Sequence, residues 1–79
     1  MKELAAGAKV VGLKQCRRAV EELRAARVYL ACDADPQLTD PLRSLCREKG
    51  VALTEDCSME ALGRAAGIAV KTAAAALLK

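Results

Sequence analysis

Lys14, Gln15, Arg17 and Arg18 crowd together directly after the strand-like pair Val10-Val11 and a glycine, Gly12. If a helix opens there, Lys14, Gln15 and Arg18, spaced three and four apart, project together. A helix start offers unpaired backbone N–H groups and a partial positive charge, both suited to phosphate. An amide beside long cations adds the means to read base edges next to a phosphate backbone. The same residues also describe an ordinary solvated helix start, and cations at that end oppose the helix dipole. The pattern alone leaves both readings open.

The elements that must position these residues alternate between strand and helix. Val10 to Gly12 reads as a short strand, and Leu13, Cys16, Val20 and Leu23 recur at helical spacing, so a helix is expected from Leu13 to about Ala26. Val28 to Cys32 is a continuous apolar run, as in a strand covered on both faces. Asp33 to Pro36 reads as a loop, with turn and capping chemistry the ordinary role for Asp33 and Asp35. Asp40-Pro41 reads as an N-cap followed by proline in the first helical position, and Lys49-Gly50 as a basic last turn with a glycine cap. Val51 to about Glu55 is a further strand. Ser58 caps a short helix carrying Met59, Leu62 and Ala65-Ala66, ended by Gly67; Gly63 inside it implies close packing. The tail from Ile68 is ambiguous, because its alanines favour helix by propensity yet suit a buried strand between helices. This order argues for an α/β/α sandwich around a small sheet.

With 79 residues the chain has room for one core, and with Tyr29 as its only aromatic residue that core must be Leu, Val, Ile, Ala and Cys. Platforms that stack single-stranded bases on several aromatic rings are therefore excluded. The net charge of +3 is unevenly spread. Residues 1–27 hold seven bases against three acids, residues 28–60 hold three against seven, and Arg64, Lys71 and Lys79 complete the tail. Such polarity suits a polyanion docking on a face built from both chain ends, or else an ordinary mixed surface. Cys16, Cys32, Cys46 and Cys57 include no C-x-x-C pair, and the chain has no histidine, so no common zinc framework is present and no metal or cofactor is expected. Cys16, Cys32 and Cys46 read as small buried hydrophobes, and Cys57 as loop-borne and more reactive. No apolar stretch approaches the roughly 18 residues of a membrane span, and free cysteines fit a reducing cytoplasm. Without histidine or a recognisable nucleophile–base pair, catalysis is not expected.

Four segments in order, G-L-K-Q-C-R-R at 12–18, A-C-D-A-D-P at 31–36, L-C-R-E-K-G-V at 45–51 and S-M-E-A-L-G-R-A-A-G-I at 58–68, resemble the kink-turn RNA-binding family of ribosomal proteins (the large-subunit seven-Ae and thirty-e type), and most of all its short, stand-alone bacterial branch. The likeness covers nearly the whole chain. It implies a single RNA-binding domain over residues 1–79, with a three-layer α/β/α sandwich, a four-stranded mixed sheet, and the tail from about Thr72 as the last strand. It also implies recognition of a kink-turn, a sharply bent RNA element with tandem sheared G·A pairs. The family's reading motif falls on Gly12, Lys14, Gln15 and Arg18. Lys14 and Arg18 would donate to guanine O6 and N7 or to adjacent phosphates, and Gln15 would meet a guanine or adenine edge. A-form major grooves normally exclude side chains, so the kink is what admits them.

A second contact surface is implied in the loop Glu55-Asp56-Cys57-Ser58-Met59, where Cys57, Ser58 and Met59 approach RNA; the chain departs from the family pattern at Asp56 or Cys57, where relatives often carry a hydrophobic or basic residue, and the loop's two acids, Glu55 and Asp56, oppose a phosphate backbone. Asp35 and Lys49 align with positions beside a flipped-out loop nucleotide. Arg24, outside the motif, is expected to contribute a mild salt-dependent effect at most. The expected partner is kink-turn RNA in rRNA, a riboswitch or another structured RNA, bound by a monomer in the cytoplasm with no membrane involvement. The alternative is a protein–protein adaptor of the same fold, docking through its acidic middle, with only nonspecific RNA affinity.

Overall fold

The computed structural model describes Leu4 and residues 7–79; Lys2 and Glu3, counted above in the basic N-terminal segment, lie outside the described residues. Among residues 7–79, four strands, β1 (Lys9–Val11), β2 (Ala25–Ala31), β3 (Ala52–Cys57) and β4 (Ala74–Leu78), alternate with three helices, α1 (Leu13–Glu21), α2 (Pro36–Lys49) and α3 (Met59–Ala65). The sheet order is β1-β4-β2-β3. β4 runs antiparallel to both β1 and β2, while β2 and β3 are parallel. Strands β1, β2 and β3 therefore point the same way. Their carboxyl ends, the starts of the helices and the start of β4 meet at one end of the sheet.

Period-two alternation divides the apolar residues between the two faces. Val28, Leu30, Ala74 and Ala76 face α1 and α2 and pack with Cys16, Ala19, Val20, Leu42 and Cys46. Tyr29, Ala31 and Ala75 face the other way and pack with Leu4, Cys57, Leu62 and Ala66. Two cores, one on each side of the sheet, make the three-layer α/β/α sandwich that the family resemblance implies.

The tail is a strand despite its alanines. Ala74, Ala75 and Ala76 are fully buried in the strand that pairs on both edges. Small side chains there let the helical layers approach, and ladder pairing outweighs a helix preference of well under 1 kcal/mol per residue.

Several local expectations are corrected. Helix α1 ends at Glu21, not near Ala26. Leu23 takes φ 58° and closes the helix: its N–H donates to the Val20 carbonyl (3.1 Å) and the Arg24 N–H to the Ala19 carbonyl (2.8 Å). This is the usual helix-closing pair of bonds with leucine where glycine is preferred. Asp40-Pro41 does not start α2. The helix begins five residues earlier, where the Asp35 carboxylate accepts from the Gln37 N–H at 2.9 Å and Pro36 takes the first helical position. The earlier start buries Thr39, 1 % exposed, in register with Leu42 and Cys46. That stripe outweighs the backbone bond lost at Pro41 inside the helix. The glycine closure at Gly50 is as read, with φ 70°.

The cysteine assignments invert in part. Cys16 and Cys46 are buried as expected, but Cys32 is exposed and Cys57 is buried. Cys57 ends β3 with its side chain in the second core instead of riding on a loop. Burial pushes the Cys16 thiol up to about 12 and raises Cys46; burial, with Asp56 beside it, raises Cys57.

Gly63 bears out the expectation of close packing. A Cβ there would sit 2.2 Å from the Val70 carbonyl oxygen and 3.0 Å from Lys71 Cα, so the segment leading into β4 lies directly on α3.

Two outcomes follow. Gly63→Ala overpacks this contact and should cost about 1–3 kcal/mol, seen as a fall of about 5–20 °C in the thermal midpoint; an unchanged midpoint would show that the 68–72 segment moves aside freely. Alkylation of the native protein near pH 8 should label Cys32 alone, with the other three thiols labelled only in denaturant, as mass mapping would show.

Candidate nucleic-acid interface

Gly12 links β1 to α1 in a conformation that other residues rarely adopt, φ 105°. Its N–H donates to the Ala74 carbonyl of β4 (2.9 Å), and its own carbonyl accepts the first helical bond from Cys16 N–H (3.0 Å). The helix start is thus bolted to the central strand. No side chain caps it. Gln15, at the third helical position, folds back over Gly12: a Cβ on Gly12 would come within 2.6 Å of Gln15 Oε1. The missing side chain at position 12 is therefore what gives the Gln15 amide its place.

Lys14, Gln15 and Arg18 line one open depression of about 360 Å³ together with Val10 and Arg24. All three motif side chains are exposed. None of them forms a hydrogen bond or ion pair with a described residue, whereas Arg17 lies 3.9 Å from Glu21 and Arg24 2.8 Å from Glu22. The first turn of α1 contains no acid, and Arg18 falls in the last turn because the helix is short. Lys14 alone opposes the dipole; Arg18 complements it. The result is two free cations and a free amide on a rigid helix start, able to donate to phosphate oxygens and to base edges. Val10 and Arg24 were not part of the expected set. Arg24 lies beyond the helix, so helical spacing could not associate it with Lys14.

The remaining expected site residues fall into three groups. Asp35, Ser58 and Met59 lie at the same end of the sheet as Gly12, but each has a structural task. Asp35 caps α2. Ser58 Oγ accepts from Ala61 N–H (3.1 Å) at the start of α3. Met59 packs against the second core, and its N–H donates to Asp33 Oδ1 (2.8 Å), so Asp33 also serves as a cap, across two connections. Cys57 belongs to β3 with its side chain in the second core, and its carbonyl accepts from Cys32 N–H (2.8 Å). Lys49 ends the 14-residue α2, about 20 Å along the helix from its start and at the opposite end of the sheet; it does not join the depression.

The stretch expected as a second contact loop is mostly strand, since Glu55, Asp56 and Cys57 belong to β3. Its two acids are not equivalent. Arg43 of α2 donates from Nε to Glu55 (2.9 Å) and also bonds Asp40. The Arg43 guanidinium holds the Glu55 carboxyl below the usual carboxylate range. Asp56 remains exposed. Strand order places the basic chain ends, β1 and β4, together at one side and acid-bearing β3 at the far edge. No described helix is long and apolar enough to cross a membrane.

Comparison with known proteins accords with this geometry. The model of the ribosomal protein L7Ae/L30e/S12e/Gadd45 family matches residues 1–79. An RNA-binding protein of Geobacillus sp. (strain WCH70) is 42% identical over 78 residues, covering 99% of this chain and 95% of the relative. Another, from Caldanaerobacter subterraneus subsp. tengcongensis, is 40% identical over 68 residues, covering 86% and 83% respectively. Among solved structures, the Giardia lamblia 15.5kD RNA binding protein superposes with a TM-score of 0.88 at 32% identity, over 98% of this chain and 65% of that one. By sequence and by fold, the chain belongs to the L7Ae/L30e/S12e/Gadd45 family of ribosomal proteins.

Proposed function

We propose that this protein is a non-catalytic RNA-binding protein that recognises kink-turns, acting as a monomer in the cytoplasm through a single domain over residues 1–79. The observation that carries the reading is the depression in which Lys14, Gln15 and Arg18 stand together without a hydrogen-bond or ion-pair partner among the described residues, behind a glycine whose missing side chain makes room for the amide. The relatives named as RNA-binding proteins support the polymer class. Within the depression, Lys14 and Arg18 donate to guanine O6 and N7 or to neighbouring phosphates, and Gln15 presents its amide to a base of the sheared G·A pairs. Asp35, Ser58 and Met59 shape the rim of the same face through the caps of α2 and α3. The target is a bent structured RNA such as rRNA or a riboswitch element, because only an opened major groove admits these side chains.

The test compares, at fixed salt, a minimal kink-turn RNA with the same RNA whose G·A pairs are changed to Watson–Crick pairs. Tight binding to the kinked form alone is expected; equal weak binding to both would overturn the reading and favour an adaptor role. Gln15→Ala should cost about 1–3 kcal/mol of affinity for the kink-turn and little for the control. Lys14→Glu should separate binding from stability. It places an acid in the first turn of α1, which should raise stability by about 0.3–1 kcal/mol, while kink-turn affinity falls about tenfold or more. A variant that loses both stability and binding would mean that Lys14 serves the fold.

A further inference from the structure

Arg24 lies outside the motif, six residues beyond Arg18 and past the end of α1, yet its side chain lines the same depression as Lys14, Gln15 and Arg18. The way it gets there is specific. Leu23 adopts a left-handed conformation, φ 58°, and this reverses the chain so that the Arg24 N–H returns to the Ala19 carbonyl (2.8 Å). The Arg24 carbonyl in turn accepts from the Lys79 N–H (2.9 Å), which ties this corner to the end of β4. The guanidinium Nε is held by Glu22 at 2.8 Å, a bond that restricts its orientation and leaves its other donors directed elsewhere. Lys14, Arg18 and Arg24 thus line one depression with Val10 and Gln15, and along α1 the order runs from Lys14 and Gln15 in the first turn, through Arg18, to Arg24 past the helix end, a track of three cations with the amide at its start. Bases are read at the end that holds the amide. Toward Arg24 the track offers cations and no neutral amide, the composition that grips a backbone without reading it.

We infer that Arg24 is a phosphate anchor for the RNA stem continuous with the G·A pairs, extending the footprint from the base-reading segment to the C-terminal end of α1. The inference rests on the proposed kink-turn reading and goes beyond it. It assigns a contact to a residue outside the motif and gives the bound strand a direction, from Gln15 toward Arg24. It also replaces the expectation, drawn from sequence alone, that Arg24 contributes a mild effect at most.

The experiment measures the salt dependence of binding to the kink-turn RNA and to its Watson–Crick control for wild type, Arg24→Gln, Arg24→Lys and Arg64→Gln. Arg64, exposed on α3 and paired with Glu60, carries the same charge in a similar ion pair away from the depression, so its loss reports the effect of net charge alone. For Arg24→Gln the expected result is a three- to tenfold loss of kink-turn affinity near 0.1 M salt, with the slope of log K against log salt reduced by about 0.7–0.9, the value of one phosphate contact. Arg24→Lys should restore most of both, and Arg64→Gln should change the slope far less. Thermal melts confirm that each variant is folded, and Arg24→Lys keeps the charge if Arg24→Gln is unstable. If wild type discriminates the two RNAs but Arg24→Gln and Arg64→Gln behave alike, the anchor is overturned and the kink-turn reading stands. If wild type binds both RNAs equally, the kink-turn reading falls and the anchor with it.

Discussion

The structure depends on a strand of alanines held at the centre of the sheet. β4 pairs with β1 on one side and β2 on the other, and its residues 74–76 have no exposed surface. Every other element is placed with reference to it. Side chains larger than alanine would hold the two helical layers off the sheet, and overpacking of that kind costs about 1–3 kcal/mol per site. The same strand fixes the candidate site directly, because the Ala74 carbonyl receives the Gly12 N–H. The helix start that presents Lys14 and Gln15 is therefore rigid at its root. The path into β4 is fixed as well, since Gly63 lets the backbone at Val70 and Lys71 lie against α3.

Much of this was legible in the sequence, and the failures have physical causes. The apolar runs in β2, the closure at Gly50 and the Ser58 cap follow from side-chain chemistry within a few residues, and all appear as read. The end of α1 was not legible. Leucine 23 continues an apolar helical pattern, and nothing local announces that it will take a left-handed conformation; the bonds that hold it there come from the turn it closes. The start of α2 was ambiguous because Asp35-Pro36 and Asp40-Pro41 carry the same capping signature five residues apart. Only the buried register of Thr39 with Leu42 and Cys46 selects the first. Cys32 and Cys57 exchanged roles because β3 runs two residues beyond Glu55, where the sequence pattern ends it, carrying Cys57 into the second core, while β2 ends just before Cys32.

The site divides in the same way. Lys14, Gln15 and Arg18 could be grouped from their spacing because a single helix displays them. Arg24 could not, since a chain reversal brings it to the same wall. For Asp35, Ser58 and Met59 the family likeness points to positions at the end of the sheet that also holds Gly12, and the structure shows their polar groups engaged in holding α2 and α3. Lys49 shows the limit of such alignment: it shares a helix with Asp35, and the length of that helix carries it to the other end of the molecule. Charge was legible as a map of segments only. Sequence counts Glu55 among the acids that oppose RNA, whereas in the fold Arg43 spans from α2 to β3 and compensates it, leaving Asp56 as the acid on that strand without an ion pair among the described residues.

The quality of the helix ends bears on where function lies. Helices α2 and α3 begin with side-chain caps, and Asp33 supplies a further bond to the start of α3. These are well-made termini, and removing such a cap typically costs about 1 kcal/mol. Helix α1 is the exception at both ends. It opens on an uncapped glycine with a lysine set against the dipole, and it closes on a leucine where glycine would be unstrained. Each feature costs stability locally, and none is required by the two cores, which α1 serves through Cys16, Ala19 and Val20. Local rules broken on one element and kept on its neighbours mark that element as shaped for something other than folding. Here the broken rules coincide with the depression. The uncapped start leaves backbone N–H groups and the Gln15 amide open to a ligand, and the strained end delivers Arg24 to the wall. An anion bound along α1 would be attracted both to Lys14 and to the positive end of the dipole, offsetting their mutual repulsion, and would occupy the donors that the fold leaves free. Among α1, α2 and α3, the helix whose ends break local rules is thus the one that a polyanion would stabilise most, linking binding to the rigidity of the site.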